Sequence, residues 1–138
     1  MSNAIGLQGS ELELFNQMKA FVSRFRIASP FGNRIHPISG KPQFHNGIDL
    51  ACPEGTPIYV GQDLHARIYW DAQFGGGLSC VVTAKKYTYG FAHLSRIEQS
   101  GGKLILYTGN TGVSTGPHLH LTMREGTQFV DPAAVLRG

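Results

Sequence analysis

The residues best suited to chemistry in this chain are His45 and Asp49 in the run Phe44-His45-Asn46-Gly47-Ile48-Asp49, His93 in Ala92-His93-Leu94-Ser95, and the pair His118-Leu119-His120. His45, Asp49 and one member of the late pair make a ligand set of neutral imidazoles and a carboxylate. Three protein ligands with a fourth position left for water is the make-up of a catalytic zinc site rather than a closed structural one. Two further histidines then stand beside the metal, which points to hydrolysis rather than metal storage.

The spacing constrains how these groups can meet. In His118-Leu119-His120-Leu121-Thr122-Met123, a strand puts His118, His120 and Thr122 on one face and Leu119, Leu121 and Met123 on the other. The apolar face must enter the core, so both imidazoles face a cleft, about 6.5–7 Å apart along the strand. Taken alone, the pair could equally be exposed histidines on an ordinary strand. His45 and Asp49 would be separated by roughly 13 Å in a straight strand, too far to share one ion. A bend at Asn46-Gly47 resolves this, because glycine tolerates the backbone angles of a bend. His93 follows a strand with Phe91 and Ala92 beside it, a setting that by itself suits a hydrogen-bonded structural histidine. His36, in the Arg34-Ile35-His36-Pro37 loop, and His65, opening a strand, are assigned no role at the metal.

The elements that must position these residues read as follows. Residues 1–9 are expected to be an unstructured tail, with Met1-Ser2-Asn3-Ala4 resembling a cloning remnant. Ser10, with Glu11 and Glu13 in the first turn, reads as an N-cap with Glu13 at the capping-box position. Leu14, Met18, Phe21, Val22 and Phe25 recur at helical spacing, predicting a helix over roughly 10–22 and a lead-in to residue 26. Residues 23–28 alternate as a short strand ended by Ser29-Pro30, and the prolines and glycines of 30–46 predict a long ordered loop. Strands are predicted at 48–51, 58–60, 65–70, 78–84, 87–92, 103–108 and 118–124, with 78–84 and 87–92 pairing as a hairpin. Ala66, Ile68 and Trp70 give the 65–70 strand a half-buried pattern, and Asp131-Pro132 starts a short C-terminal turn. The expected fold is mainly β, a largely antiparallel sheet with one N-terminal helix, and 27–138 form the functional domain.

Composition excludes several function classes. The chain has 138 residues, of which 41% are hydrophobic and 15% charged, enough for one core and not for two. Its formal charge of +3 fits a solvated surface with a slight basic excess, or attraction to an anionic polymer such as a bacterial wall. No lysine/arginine cluster interleaved with aromatics occurs, so nucleic acid is not an expected partner. No apolar run is long enough to span a membrane, and no signal peptide is visible. Cys52 and Cys80 form no Cys-x-x-Cys pair, which excludes a thiolate zinc ribbon. Two buried free thiols are expected, with a single disulfide as the alternative in an exported protein.

Taken together, the blocks resemble the lysostaphin/LytM-type zinc metallopeptidases, which cut peptide bonds in bacterial peptidoglycan. The resemblance runs from about Ile27 to Leu136. It is carried by Ser29-Pro30-Phe31-Gly32-Asn33-Arg34-Ile35-His36-Pro37, Phe44 to Asp49, Pro53-Glu54-Gly55-Thr56-Pro57, Phe91-Ala92-His93-Leu94-Ser95, Gly109-Asn110-Thr111-Gly112, Ser114 to His120 and Val130-Asp131-Pro132. It implies a sandwich-like barrel and one zinc ion per chain bound by His45, Asp49 and His120. It further implies that His93 and His118 flank the catalytic water and the scissile carbonyl, with acid and base roles unassigned. A peptidoglycan peptide as substrate, a monomer, and a cell-envelope or extracellular location follow from the same resemblance. The chain departs from the family in short Arg96–Gly102 and Lys85-Lys86 connections and in Asp63-Leu64-His65 replacing an Asp-Gly-Val-type turn. A non-catalytic regulatory or wall-binding module of the same fold is the alternative, and keeping all five residues weighs against it. A phosphotransfer barrel would leave His45 and Asp49 unexplained.

Overall fold

The computed structural model describes residues 3–138. Helix α1 (Gly9–Arg24) is followed by β1 (Arg26–Ser29), β2 (Gly32–Ile35), β3 (Pro42–His45), β4 (Ile48–Ala51), β5 (Pro57–Gly61) and β6 (His65–Asp71). Then come β7 (Gly77–Thr83), β8 (Tyr87–Leu94), β9 (Arg96–Ser100), β10 (Lys103–Tyr107), β11 (Leu119–Glu125), β12 (Gln128–Val130) and α2 (Pro132–Arg137). The main antiparallel sheet has the order β1-β4-β11-β8-β7-β6, with β12 also paired to β11. A smaller sheet, β5-β10-β9, and the β2–β3 hairpin complete the expected mainly β architecture.

One face of the main sheet forms the core. Ile48, Leu50, Cys80, Val82, Tyr89, Phe91, Leu119, Leu121 and Met123 are buried there, alternating along their strands as period-two patterning requires. Ile58, Val60 and Leu106 of the small sheet and the helical stripe Leu14, Phe15, Met18, Phe21 and Val22 enter the same core. The opposite face of β4, β11, β8 and β7 is left for a cleft. Cys52 and Cys80 are buried free thiols, and burial pushes the Cys80 thiol up to about 11.

Several expectations need correction. Of the supposed tail, Met1 and Ser2 lie outside the described residues, whereas Asn3–Gly6 form a turn and Leu7 is buried. Asn3 Nδ2 donates to the Val135 carbonyl at 3.0 Å, so this segment is tied to α2. Helix α1 starts before Ser10 and runs on to Arg24. Ser10 is no cap; its hydroxyl donates to Asp63, and Glu13 pairs with Lys103 instead of closing a capping box. The loop predicted over 30–46 contains the β2–β3 hairpin, whose glycine and prolines sit at ends and turns where a ladder tolerates them. Arg96–Ser100 forms a strand, and Asp131 caps a short helix by accepting the Ala133 N–H at 3.0 Å. In β6, Ile68 and Trp70 remain 48% and 61% exposed, because this edge strand overhangs the core.

Glu11 fastens α1 to the sheet. Its buried carboxylate accepts the Lys86 and Tyr87 N–H groups at 3.0 and 3.1 Å, at the turn of the β7–β8 hairpin. Hydrogen bonds to a charged acceptor are worth about 1.5–3 kcal/mol, and losing the carboxylate takes the partner from the buried Tyr87 N–H. Glu11→Ala is therefore expected to lower unfolding free energy in urea by about 2 kcal/mol or more. Glu13→Ala, which removes only the exposed pair with Lys103, should cost less than about 1 kcal/mol in the same measurement.

Candidate active site

The β3–β4 connection brings His45 and Asp49 together through the expected bend, but for a different reason at Gly47. A Cβ there would overlap the Leu121 carbonyl oxygen of β11, so glycine is required by close approach of two backbones rather than by its backbone angles. With that approach, β4 pairs with β11 and sets Asp49 directly opposite His120. The carboxylate Oδ1 lies 2.8 Å from His120 Nδ1, and Oδ2 lies 3.5 Å from His45 Nε2. His45 Nε2 and His120 Nδ1 are 3.3 Å apart. One ligand atom from each of His45, Asp49 and His120 lies within 4.8 Å of the others, a donor set of two imidazoles and a carboxylate that suits zinc.

The other nitrogen of each ligand-type imidazole is occupied. His45 Nδ1 is 2.9 Å from the Pro30 carbonyl, and His120 Nε2 is 3.2 Å from Asn46 Oδ1. A carbonyl only accepts, so the Pro30 contact puts a proton on His45 Nδ1, while the two nitrogens of His120 lie between the Asp49 carboxylate and the Asn46 side chain. Burial pushes the Asp49 carboxyl up, but hydrogen bonds and attraction from His120 and His45 outweigh it and hold the group well below the usual carboxylate range. Asp49 is thus ionised.

His118 and His93 stand beside this cluster. His118, just before β11, has Nδ1 at 2.8 Å from the Gly116 carbonyl and Nε2 at 3.8 Å from Asp49 Oδ1. The strand parity expected for His118, His120 and Thr122 is what places them together at the cleft. His93 lies inside β8 rather than after a strand, at a β-bulge. Between the pairs Cys80↔Phe91 and Leu78↔Leu94, β8 has one more residue than β7. His93 has φ of 61°, its N–H donates to the Gly76 carbonyl at 2.7 Å, and its Nδ1 donates to the Thr111 carbonyl at 2.7 Å. Its ring centroid is 4.6 Å from that of His118. Burial lowers the His93 pKa below the ordinary histidine value, further aided by the neighbouring His118 and His120, despite the Thr111 hydrogen bond and Asp49.

The loops that hold His93 are themselves latched. Val113 N–H donates to the Gly75 carbonyl at 2.8 Å, and Asp71 accepts the Phe74 and Gly76 N–H groups. Together with the β2–β3 hairpin they wall a cleft of about 740 Å³ over the histidines. Its rims carry exposed apolar side chains, including Phe44, Phe74 and Val113.

Sequence reasoning missed two neighbours of the cluster. Asn46 was seen only as part of a bend, although its position next to His45 was a usable signal. Arg34 donates to Ser29 Oγ and reaches within 3.8 Å of Asp49 Oδ2, while its Nε is buried without a partner among the described residues. No spacing pattern announces it, because the hairpin carrying it is not legible in the chain. His36 is a turn residue whose Nδ1 accepts the Ile38 and Ser39 N–H groups, and His65 is exposed at the start of β6.

Comparison with known proteins places the chain in a family. The chain is 41% identical over 117 residues to DD-carboxypeptidase/endopeptidase Mpg of Neisseria meningitidis, an alignment covering 80% of this chain and 27% of that protein. It is 34% identical over 119 residues to peptidoglycan DD-endopeptidase ShyA of Vibrio cholerae, covering 81% of this chain and 28% of that protein. The chain thus spans about a quarter of the length of these relatives. A zinc-containing peptidase from Vibrio cholerae superposes with a TM-score of 0.63 at 32% identity, over 79% of this chain and 36% of that one. The catalytic domain of lysostaphin from Staphylococcus simulans shares the fold, with a TM-score of 0.68 at 23% identity over 87% and 98% of the two chains. Peptidase family M23 matches residues 43–132, which include His45, Asp49, His93, His118 and His120. The chain belongs to peptidase family M23, the zinc-dependent metallopeptidases to which the lysostaphin/LytM resemblance pointed.

Proposed function

We propose that this domain is a zinc-dependent endopeptidase that hydrolyses peptide bonds of bacterial peptidoglycan at the cell envelope or outside the cell. The observation that carries the reading is the constellation itself: a His45–Asp49–His120 donor set with two more imidazoles beside it at the base of one cleft. Relatives named DD-carboxypeptidase/endopeptidase and peptidoglycan DD-endopeptidase support a wall substrate and a bond of the D,D class. Since one chain supplies all five residues, it is proposed to work as a monomer.

His45 Nε2, an Asp49 oxygen and His120 Nδ1 are the atoms that would hold zinc. Bound there, zinc supplies Lewis acidity for the scissile carbonyl and lowers the pKa of the attacking water to about 7. The chain's own residues do the rest. Pro30 and Asn46 fix the orientation of the two imidazole ligands. Hydrogen bonds to Gly116 and Thr111 place the protons of His118 and His93 on Nδ1. Each neutral ring therefore keeps a lone pair on Nε2, ready to accept a proton from the nucleophile, and each protonated ring can donate from Nε2 to a developing oxyanion. The depressed pKa of His93 favours its neutral form at physiological pH. The apolar rims give the peptide's extended backbone something to lie against.

Purified protein is expected to contain about one zinc per chain and to release new amino termini from peptidoglycan, with chelation abolishing release and added zinc restoring it. A metal-free protein that takes up no added zinc would sink this reading. His118→Ala should retain zinc and lose roughly 10²- to 10⁴-fold in kcat, whereas His120→Ala should lose the metal. The reverse pattern would show the pair to be assigned backwards. Asn46→Ala, which removes only the acceptor for His120 Nε2, should weaken zinc binding by roughly 10- to 100-fold in competition with a chromogenic chelator.

A further inference from the structure

A trough leads away from the five site residues along β11, and a charge waits in it. On the cleft face, His120, Thr122 and Arg124 of β11 stand opposite Ala92, Gly90 and Thr88 of β8. The β8 members are small, and a Cβ on Gly90 would already overlap the Thr122 hydroxyl, so the floor cannot be filled from that side. The result is a channel of strand width running from the ligand cluster to Arg124, half-buried at its far end.

The other charged groups lining this cleft are engaged. Asp49 belongs to the ligand cluster, and both oxygens of Asp71 accept backbone N–H groups. Arg34 is held by Ser29 and Asp49. Arg124 has no side-chain hydrogen bond or ion pair among the described residues; its contact is the Phe129 ring, 5.8 Å from Cζ to centroid. A guanidinium braced by an aromatic face, half withdrawn from water and lacking an anion is a preorganised fork for a carboxylate.

We propose that Arg124 is a specificity-determining residue that binds a free carboxylate of the peptide lying in this trough. The inference rests on the peptidase reading and adds a substrate class to it: an anionic peptide. Arg124 is four residues along β11 from His120, roughly 13 Å, so the carboxylate sits about three to four extended residues from the cleaved bond. The carboxylate can be a side group or the end of a peptide, and the two are separable by synthesis.

The test uses the zinc-loaded chain and synthetic D,D-linked peptides in three forms: one with a side-group carboxylate and amidated C-terminus, one with only a C-terminal carboxylate, and one with both amidated. Calorimetric binding and kcat/KM are measured for each. The wild type should favour one free acid over the full amide by roughly tenfold or more. The preferred form identifies which carboxylate is bound. Arg124→Gln should erase the preference through KM, leaving kcat, zinc content and thermal transition close to wild type. Arg124→Lys, which keeps the charge and loses the fork, should retain part of it. Equal treatment of all three peptides by the wild type, or an undiminished preference in Arg124→Gln, overturns the inference. Cleavage without carboxylate preference leaves the peptidase reading intact, whereas carboxylate-dependent binding without cleavage defeats that reading and upholds the anionic ligand.

Discussion

The contact between the backbones of Gly47 and Leu121 is the constraint on which the site depends. Only when β4 comes this close to β11 can the two strands pair, and only that pairing sets Asp49 across from His120. The same bend returns His45, at the end of β3, to within hydrogen-bonding range of both. Replacing the hydrogen at Gly47 by a methyl group would push apart the two halves of the ligand set. The cluster is therefore a product of strand packing, with local turn geometry playing a secondary part.

Around it the protein spends backbone groups to orient imidazoles. The Pro30, Thr111 and Gly116 carbonyls and the Asn46 side chain each meet the ring nitrogen that faces away from the centre. These acceptors come from loops, yet the loops are not loose: the Gly75 and Val113 segments bond to each other, and Asp71 ties the first of them to β6. Rigid strands supply the candidate ligands, and latched loops orient the imidazoles. On the far side of the sheet, Glu11 performs a comparable service for the β7–β8 hairpin.

How much of this was legible depends on whether the cause was local. The alternation of Leu119, Leu121 and Met123 with His118, His120 and Thr122 could be read directly, because the pleat imposes it. The stripe from Leu14 to Val22 was equally clear. The β2–β3 hairpin was not, since its prolines and glycines are turn signals whether or not short strands lie between them. Ser10 looked like a cap, but its hydroxyl is claimed by Asp63, far along the chain. Gly47 was assigned its bend on backbone freedom, whereas the Leu121 carbonyl that demands a glycine there is visible only in three dimensions. Arg34 lay in a block of the family resemblance with no role attached to it, and Arg124 lay in none; their meaning comes from which neighbours they have and which they lack.

The single additional residue in β8 has a consequence for how such a domain can change over generations. Side chains in a strand alternate faces, so deleting His93 between Phe91 and Leu94 would restore a regular ladder with β7 and leave Ala92 as the single cleft-facing residue there, with no imidazole. The core residues Tyr87, Tyr89 and Phe91 precede the bulge and would keep their places. On the proposed roles, loss of that one codon would leave the His45, Asp49 and His120 donor set in place but remove one of the two imidazoles beside it. If the proposed roles hold, descent from a peptidase to a silent binding protein would be a short step in sequence, and would leave the three candidate ligands in place as a trace of the ancestry.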